Sequence, residues 1–111
     1  MRFETIKSSA TFSALFKQAK SWHTPAFVCF FQPAAVAEVG YVASKKVGGA
    51  VERNRARRRL RELFRAQQNQ LAQGRYILVA KKPILDLAHD VLNEQFNRAI
   101  RQLTHEKRIK V

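Results

Sequence analysis

The stretch that decides the fold is SKKVGGAVERNRARRRLRE, Ser44 to Glu62. A Ser-Lys-Lys segment ends a strand candidate, Gly48-Gly49 predicts a turn, and a helix of about 20 residues follows. We expect Gly74 to end that helix, since glycine is common just past a helix C-terminus. One face of the helix is apolar, and its members are Ala56, Leu60, Leu63, Phe64 and Leu71. The stretch therefore predicts an amphipathic helix whose remaining faces carry its arginines.

Positive charge is concentrated in the same region. Between Lys45 and Arg65 nine basic residues stand against two acidic ones, a net +7 in a chain whose total is +13. A solvated helix face, the ordinary alternative, would mix Lys with Glu at four-residue spacing, whereas Arg dominates here. Arginine suits bidentate phosphate contacts and stacking on bases. The pattern predicts binding to nucleic acid, with an acidic membrane surface as the second choice.

Elements on either side of this helix can be read from the spacing of apolar residues. Upstream, Phe12, Leu15, Phe16 and Ala19 recur as one helical face. Residues 27–31, 38–44 and 76–80 are strand candidates, and the first two are expected to pair antiparallel. A last helix is predicted to begin at Pro83. Its expected core face is Ala88, Leu92, Phe96, Ala99 and Leu103.

The element order predicts a single α+β domain over residues 1–111. The order is α-β-β-α-β-α, a two-layer sandwich of helices on a small sheet, with room for an extra short strand. No stretch of about 18 apolar residues exists to span a bilayer, and the N-terminus lacks the apolar segment of a signal peptide. Cys29 is the one cysteine and lies in an apolar run, so we expect a buried thiol. A cytoplasmic location is expected.

Residues 44–62 closely resemble the signature of the bacterial ribonuclease P protein subunit. That signature joins a Ser-Lys-Lys strand end, a glycine-containing turn and a helix with Arg-Asn-Arg, here residues 53–55. The similarity extends over nearly the whole chain, residues 5 to 104, because the aromatic helix and strands follow in the family's order. The resemblance implies an RNA-binding domain with a mixed sheet. It also implies a left-handed crossover between two parallel strands, where the general expectation is right-handed.

The resemblance further implies two RNA-binding surfaces. One would dock on the catalytic RNA subunit through Lys46, Gly48, Gly49, Arg53, Asn54, Arg55, Arg57, Arg58, Arg61 and Arg65. The other would hold the single-stranded 5′ leader of precursor tRNA through Phe12, Phe16, Val28, Phe30, Val42, Lys45, Arg53 and Arg61. Unstacked bases lie well on aromatic rings while cations follow the backbone. The alternative is that Phe12, Phe16 and Phe30 are simply core residues.

The sequence offers no catalytic arrangement of its own. Asp86, Asp90 and Glu94 share a helical spacing, but acidic residues early in a helix more simply complement its dipole. His23 and His105 have no partner at metal-ligand spacing. We therefore expect no metal and no catalytic residue in the protein. The resemblance implies that the RNA subunit cleaves precursor tRNA with bound Mg²⁺, and that the protein is a subunit of this endoribonuclease with no membrane or small-molecule partner.

Three other functions remain as alternatives. A small ribosomal protein would share the charge and the Arg-rich helix but would not need an aromatic cleft. A protein-only nuclease would need clustered carboxylates or histidines. A helix-turn-helix DNA-binding protein would place a short helix and tight turn before the basic helix, whereas a strand candidate precedes it here.

Overall fold

A computed structural model describes residues 2–109 of the chain and the side chains of residues 2–104. The described strands are β1 (Glu4–Thr5), β2 (Lys20–His23), β3 (Phe27–Pro33), β4 (Glu38–Val42) and β5 (Gly74–Ala80). The α-helices are α1 (Ser9–Gln18), α2 (Ala50–Arg65) and α3 (His89–Ile109). Two short 3₁₀ turns cover Gln68–Gln70 and Lys82–Leu85. No helix in the described part of the chain is long and apolar enough to cross a membrane.

The strands form one mixed sheet in the order β1-β4-β5-β3-β2. β4 runs parallel to β5 and to β1, whereas β3 is antiparallel to both β5 and β2. The predicted α+β class with a mixed sheet is thus confirmed, and β1 and β2 add to the three predicted strands. Helix α2 connects the parallel neighbours β4 and β5, as the resemblance implies; the left-handed course of this connection stays a prediction.

The predicted antiparallel pairing of β3 with β4 is wrong, because β5 lies between them. β5 has large side chains fully buried on both faces of the sheet: Tyr76 and Leu78 on one, Ile77 on the other. Such a strand gains most from a central position, with a neighbour on each side and helices above and below. Closeness in sequence therefore did not decide which strands pair.

Helices cover the two faces of the sheet unequally. α2 and α3 cover one face and enclose the main core, which includes Phe27, Phe31, Phe64 and Phe96. On the opposite face, Leu15 of α1 packs on Ile77. Ten residues of helix span only about 15 Å, and the side chains that neighbour this smaller cluster are only partly buried. The sheet thus has one closed face and one partly open face.

Two predicted helix boundaries are wrong. α2 ends at Arg65 instead of near Gly74, which begins β5. Gly74 has φ +155° and passes so close to β3 that a Cβ would lie 2.5 Å from the Gln32 carbonyl oxygen. Glycine is therefore needed at position 74 because β5 and β3 lie close together there, and not because a helix ends there. Similarly, Pro83 is the second residue of the 3₁₀ turn Lys82–Leu85, and α3 begins only at His89.

Most predicted core positions are buried. In α2 these are Ala56, Leu60, Leu63 and Phe64, and in α3 Leu92, Phe96, Ala99 and Leu103. Leu71 is buried too, although it follows α2, and Ala88 is exposed one residue before α3. Cys29 is a buried free thiol, as predicted.

Candidate nucleic-acid interface

The Gly48-Gly49 turn determines how the chain enters α2. Gly48 has φ +151°, and a Cβ there would lie 2.8 Å from the Glu52 Cβ, so only glycine fits without strain. The Gly49 N–H donates to Glu52 Oε1 at 2.9 Å, which satisfies one of the free N–H groups at the start of the helix. Lys45 and Lys46 are exposed in the same turn, directly before α2.

Two of the helix's arginines bond inward to a neighbouring turn. Arg55 Nη2 donates to the Leu85 carbonyl at 2.9 Å, and Arg59 Nη1 donates to the Ile84 carbonyl at 2.6 Å. Both side chains therefore hold the Lys82–Leu85 turn against α2. The sequence placed Arg55 on the surface for the catalytic RNA; the structure gives it this tether as well, with other guanidinium N–H groups left to donate.

The outer side of α2 is a concave basic surface. A depression of ≈ 520 Å³ is lined by Val51, Asn54, Arg55, Arg57, Arg58 and Arg61. Arg57 donates to the Asn54 side-chain oxygen, and Arg58 is exposed. Among residues 2–104 no ion pair joins an α2 arginine to a carboxylate. Seven arginines against Glu52 and Glu62 leave this helix a net charge of 7 − 2 = +5, and no described carboxylate contacts any of the arginines as an ion pair.

The two arginines predicted to serve both RNA surfaces lie apart from the phenylalanines. Arg53 Nη1 donates to the Gly48 carbonyl at 3.1 Å, which ties it to the turn before α2. The Arg61 guanidinium carbon lies 5.5 Å from the centre of the Tyr41 ring. Tyr41 faces the α2 layer, with its ring 6.2 Å from that of Phe64. Arg61 is thus on the closed side of the sheet.

The partly open face of the sheet carries a group of apolar side chains that we call the aromatic strip: Phe12, Phe16, Phe30, Val42 and Val79. The Phe16 ring meets the Phe30 ring edge-on at 5.0 Å, and Phe12 lies 6.4 Å from Phe16. Phe16 is 43% exposed, and the other four are partly buried. In α1 it is Leu15 that fills the core position, so the reading of Phe16 as a core residue does not hold.

A glycine in the sheet makes room for this arrangement. Gly40 lies in register with Ile77, which in turn pairs with Phe30. A Cβ on Gly40 would lie 2.5 Å from Phe12 Cζ, so a larger residue would displace the Phe12 ring. Val28 shares this face but is buried, whereas Val42 remains partly accessible. The structure therefore brings together Phe12, Phe16, Phe30 and Val42 at one surface.

Sequence reasoning missed Tyr41, which joins Arg61 at the edge of the sheet. Burial raises the pKa of Tyr41 to about 12, although the nearby Arg65 and Arg61 act to lower it. The alternation of β4 side chains could have placed Tyr41 opposite Val42, but its arginine neighbours lie 20 and 24 positions further along the chain.

The described residues hold no arrangement that fits a metal ion or a reactive thiol. No three His, Cys, Asp or Glu side chains among them converge as ligands, and Glu94 pairs instead with Arg98 at 4.0 Å. Burial raises the pKa of the Cys29 thiol, which keeps it protonated.

The chain is similar in sequence and in fold to proteins of one family. The family model described as Ribonuclease P matches residues 1–104. The ribonuclease P protein component of a Nitratiruptor species is 36% identical over 104 residues, covering 94% of this chain and 95% of the relative. That of Symbiobacterium thermophilum is 36% identical over 94 residues, covering 81% and 82%. The solved RNase P protein of Staphylococcus aureus shares the fold, with a TM-score of 0.77 at 24% identity over 90% of this chain and 94% of that one.

Proposed function

Because the chain belongs to the bacterial ribonuclease P protein family, we propose that it binds two RNAs within that endoribonuclease. The turn at Lys45 and Lys46, together with α2, docks on the catalytic RNA. The aromatic strip holds the single-stranded 5′ leader of precursor tRNA. The protein thereby assists removal of the leader, which yields the mature 5′ end of the tRNA.

The observation that carries this proposal is the net positive charge of α2, whose arginines lack ion-pair partners. Seven of its 16 residues are arginine, and none forms an ion pair with a carboxylate among residues 2–104. Such a helix repels itself unless a polyanion lies opposite. Planar guanidinium groups match phosphate oxygens in pairs. RNA provides regularly spaced phosphates, and the concave surface around Arg57 and Arg58 offers them donors.

The aromatic strip supports the second half of the proposal. Phe16 keeps 43% of its surface exposed, next to the partly buried Phe12 and Phe30. Aromatic rings on a surface bind unpaired bases by stacking, and because every base has a π-face this mode tolerates varied sequences. Tolerance of this kind suits a protein that must accept the leaders of many different precursor tRNAs.

Catalysis is assigned to the RNA subunit. The magnesium that hydrolysis requires would be held mainly by that RNA, which would cut the phosphodiester 5′ to the mature tRNA and leave a 5′-phosphate and a 3′-hydroxyl. The protein's share is to neutralise phosphate charge where two polyanions approach each other, and to hold the leader in place. It acts in the cytoplasm with RNA partners alone, without a membrane or a small-molecule substrate.

Reconstitution at low Mg²⁺ tests the proposal. The protein alone should leave precursor tRNA intact, and a bacterial ribonuclease P RNA alone should cut it poorly. Together they should cleave it at the mature 5′ end. A variant with Arg58 changed to Gln should fold normally and stimulate less, because this side chain is exposed and lines the concave basic surface. Cleavage by the protein alone would overturn the assignment of catalysis to the RNA subunit. If the wild-type protein did not stimulate cleavage by the RNA, the proposed function would be overturned.

A further inference from the structure

Strand β4 loses its outer neighbour partway along its length. β1 pairs only with Glu38 and Val39, and beyond them no described strand lies on that side of β4. Tyr41 and Val42 are therefore on an open sheet edge, with side chains on opposite faces. Tyr41 faces α2, and Val42 belongs to the aromatic strip. Tyr41, which Arg61 of α2 contacts, and Val42 of the aromatic strip are therefore consecutive residues of β4.

Cationic side chains converge on Tyr41 at this edge. The Arg61 guanidinium stacks on the Tyr41 ring at 5.5 Å, a cation–π contact that leaves its N–H groups free to donate. Arg65 is exposed one helical turn further along α2, and its charge also acts on the Tyr41 hydroxyl. Neither arginine forms an ion pair with a carboxylate among residues 2–104.

The Tyr41 hydroxyl is an available donor. No hydrogen bond joins it to another described residue, and every buried side-chain N or O atom described has a partner, so this unbonded oxygen reaches solvent. A tyrosine hydroxyl keeps its proton at neutral pH, and burial raises the pKa of Tyr41 further, to about 12. A neutral O–H donor near two guanidinium groups that form no ion pair with a described carboxylate is an arrangement suited to a phosphate.

We propose that Tyr41, Arg61 and Arg65 form a phosphate notch that binds one backbone phosphate of the 5′ leader where the leader crosses the edge of β4. This inference rests on the proposed function and adds a subsite to it. The leader is the RNA to which the notch belongs, because Val42 of the aromatic strip is the next residue of the same strand. Bases stacked on the strip would leave the backbone running along this edge.

The variant Tyr41→Phe tests the notch, because it removes the hydroxyl and keeps the ring under Arg61. In the reconstituted holoenzyme we expect it to weaken binding of precursor tRNA about three- to tenfold, as for loss of one ordinary hydrogen bond at a site that water can reach. Mature tRNA, and precursors whose leader is too short to reach the notch, should bind as they do to the wild-type protein. The ratio of precursor to mature affinity is the readout, since a change in the folded fraction would affect both equally.

A leader with a neutral methylphosphonate at one position at a time locates the contact. At the position that meets the notch, the methylphosphonate should lower the affinity of the wild-type holoenzyme for precursor tRNA. The same substitution should change the affinity of the Tyr41→Phe holoenzyme much less, because its hydrogen bond to that phosphate is already absent. An equal loss for mature tRNA, or weaker binding of the protein to the catalytic RNA, would assign Tyr41 to the other RNA and overturn the inference. An unchanged ratio of precursor to mature affinity in Tyr41→Phe would also overturn the inference. If that ratio is unchanged in Tyr41→Phe but falls in Phe16→Ala, the proposed function stands without the notch. If it is unchanged in both variants, the notch and the proposed leader binding both fail.

Discussion

The same substitution at two adjacent arginines of α2 should change different properties: RNA binding at Arg58 and folding stability at Arg59. The Arg58 side chain is exposed and makes no hydrogen bond or ion pair with residues 2–104, whereas the Arg59 side chain donates to the Ile84 carbonyl at 2.6 Å. Methionine has a similar unbranched stem and helix propensity but no donor. Arg58→Met and Arg59→Met therefore form a matched pair that separates RNA binding from folding.

The expected magnitudes follow from these contacts. Arg59→Met removes a hydrogen bond from a charged donor, which is worth about 1.5–3 kcal/mol, and the lower end applies because water can reach this partly buried site. Arg58→Met should change the free energy of unfolding by less than about 0.5 kcal/mol, as exposed substitutions usually do. It should instead lower the salt dependence of binding to the catalytic RNA by about one unit of slope, the signature of one lost phosphate contact.

Urea denaturation measures the first quantity, and RNA binding across a series of salt concentrations measures the second. We expect Arg59→Met to unfold at lower urea, and Arg58→Met to unfold like the wild type but to show a shallower salt slope. If Arg58→Met were as unstable as Arg59→Met, the Arg58 side chain would have a structural role that its exposure does not show. If it kept the full slope, the exposed guanidinium would not be an RNA contact.

Three further outcomes are expected. Phe16→Ala should weaken leader-bearing precursor tRNA by about 1–3 kcal/mol per stacked base lost; an equal effect on mature tRNA would contradict the leader contact. Gly74→Ala should lower the free energy of unfolding by about 1–3 kcal/mol, because φ is +155° and its Cβ would meet the Gln32 carbonyl oxygen at 2.5 Å; an unchanged urea midpoint would refute this. Burial raises the pKa of the Cys29 thiol above its ordinary 9.0, so the unfolded chain loses a proton that the folded protein keeps. The free energy of unfolding should therefore fall as pH rises above 9, and more shallowly in Cys29→Ala; identical pH profiles would show that this thiol does not contribute.

The sequence predicts the helical cores well, because an amphipathic helix shows its buried face in its own spacing. Leu60 and Phe64 in α2, and Leu92 and Phe96 in α3, are all buried as expected. The concentration of arginine in α2 needed no structure to detect. Phe12 and Phe16 could be placed on one helix face, but spacing alone did not tell that Phe16 would stay exposed.

Contacts between residues distant in sequence could not be predicted in the same way. β1 and β2 have two and four residues, too short to show an alternating pattern, and the place of β5 between β3 and β4 follows from burial on both its faces. The bonds of Arg55 and Arg59 reach carbonyls 30 and 25 residues away. The stacking of Arg61 on Tyr41 likewise joins residues 20 positions apart and could not be predicted from the sequence.

The central claim is that this protein binds the catalytic RNA and the leader of precursor tRNA at the same time. Its most direct test is whether the protein raises the affinity of the catalytic RNA for tRNA mainly when the tRNA carries a leader. The dissociation constants of a precursor tRNA and of the matching mature tRNA would be measured for the catalytic RNA, with and without the protein, while cleavage is blocked. The protein should tighten the precursor much more than the mature tRNA. Equal tightening of both, or of neither, would mean that the leader is not held by this chain.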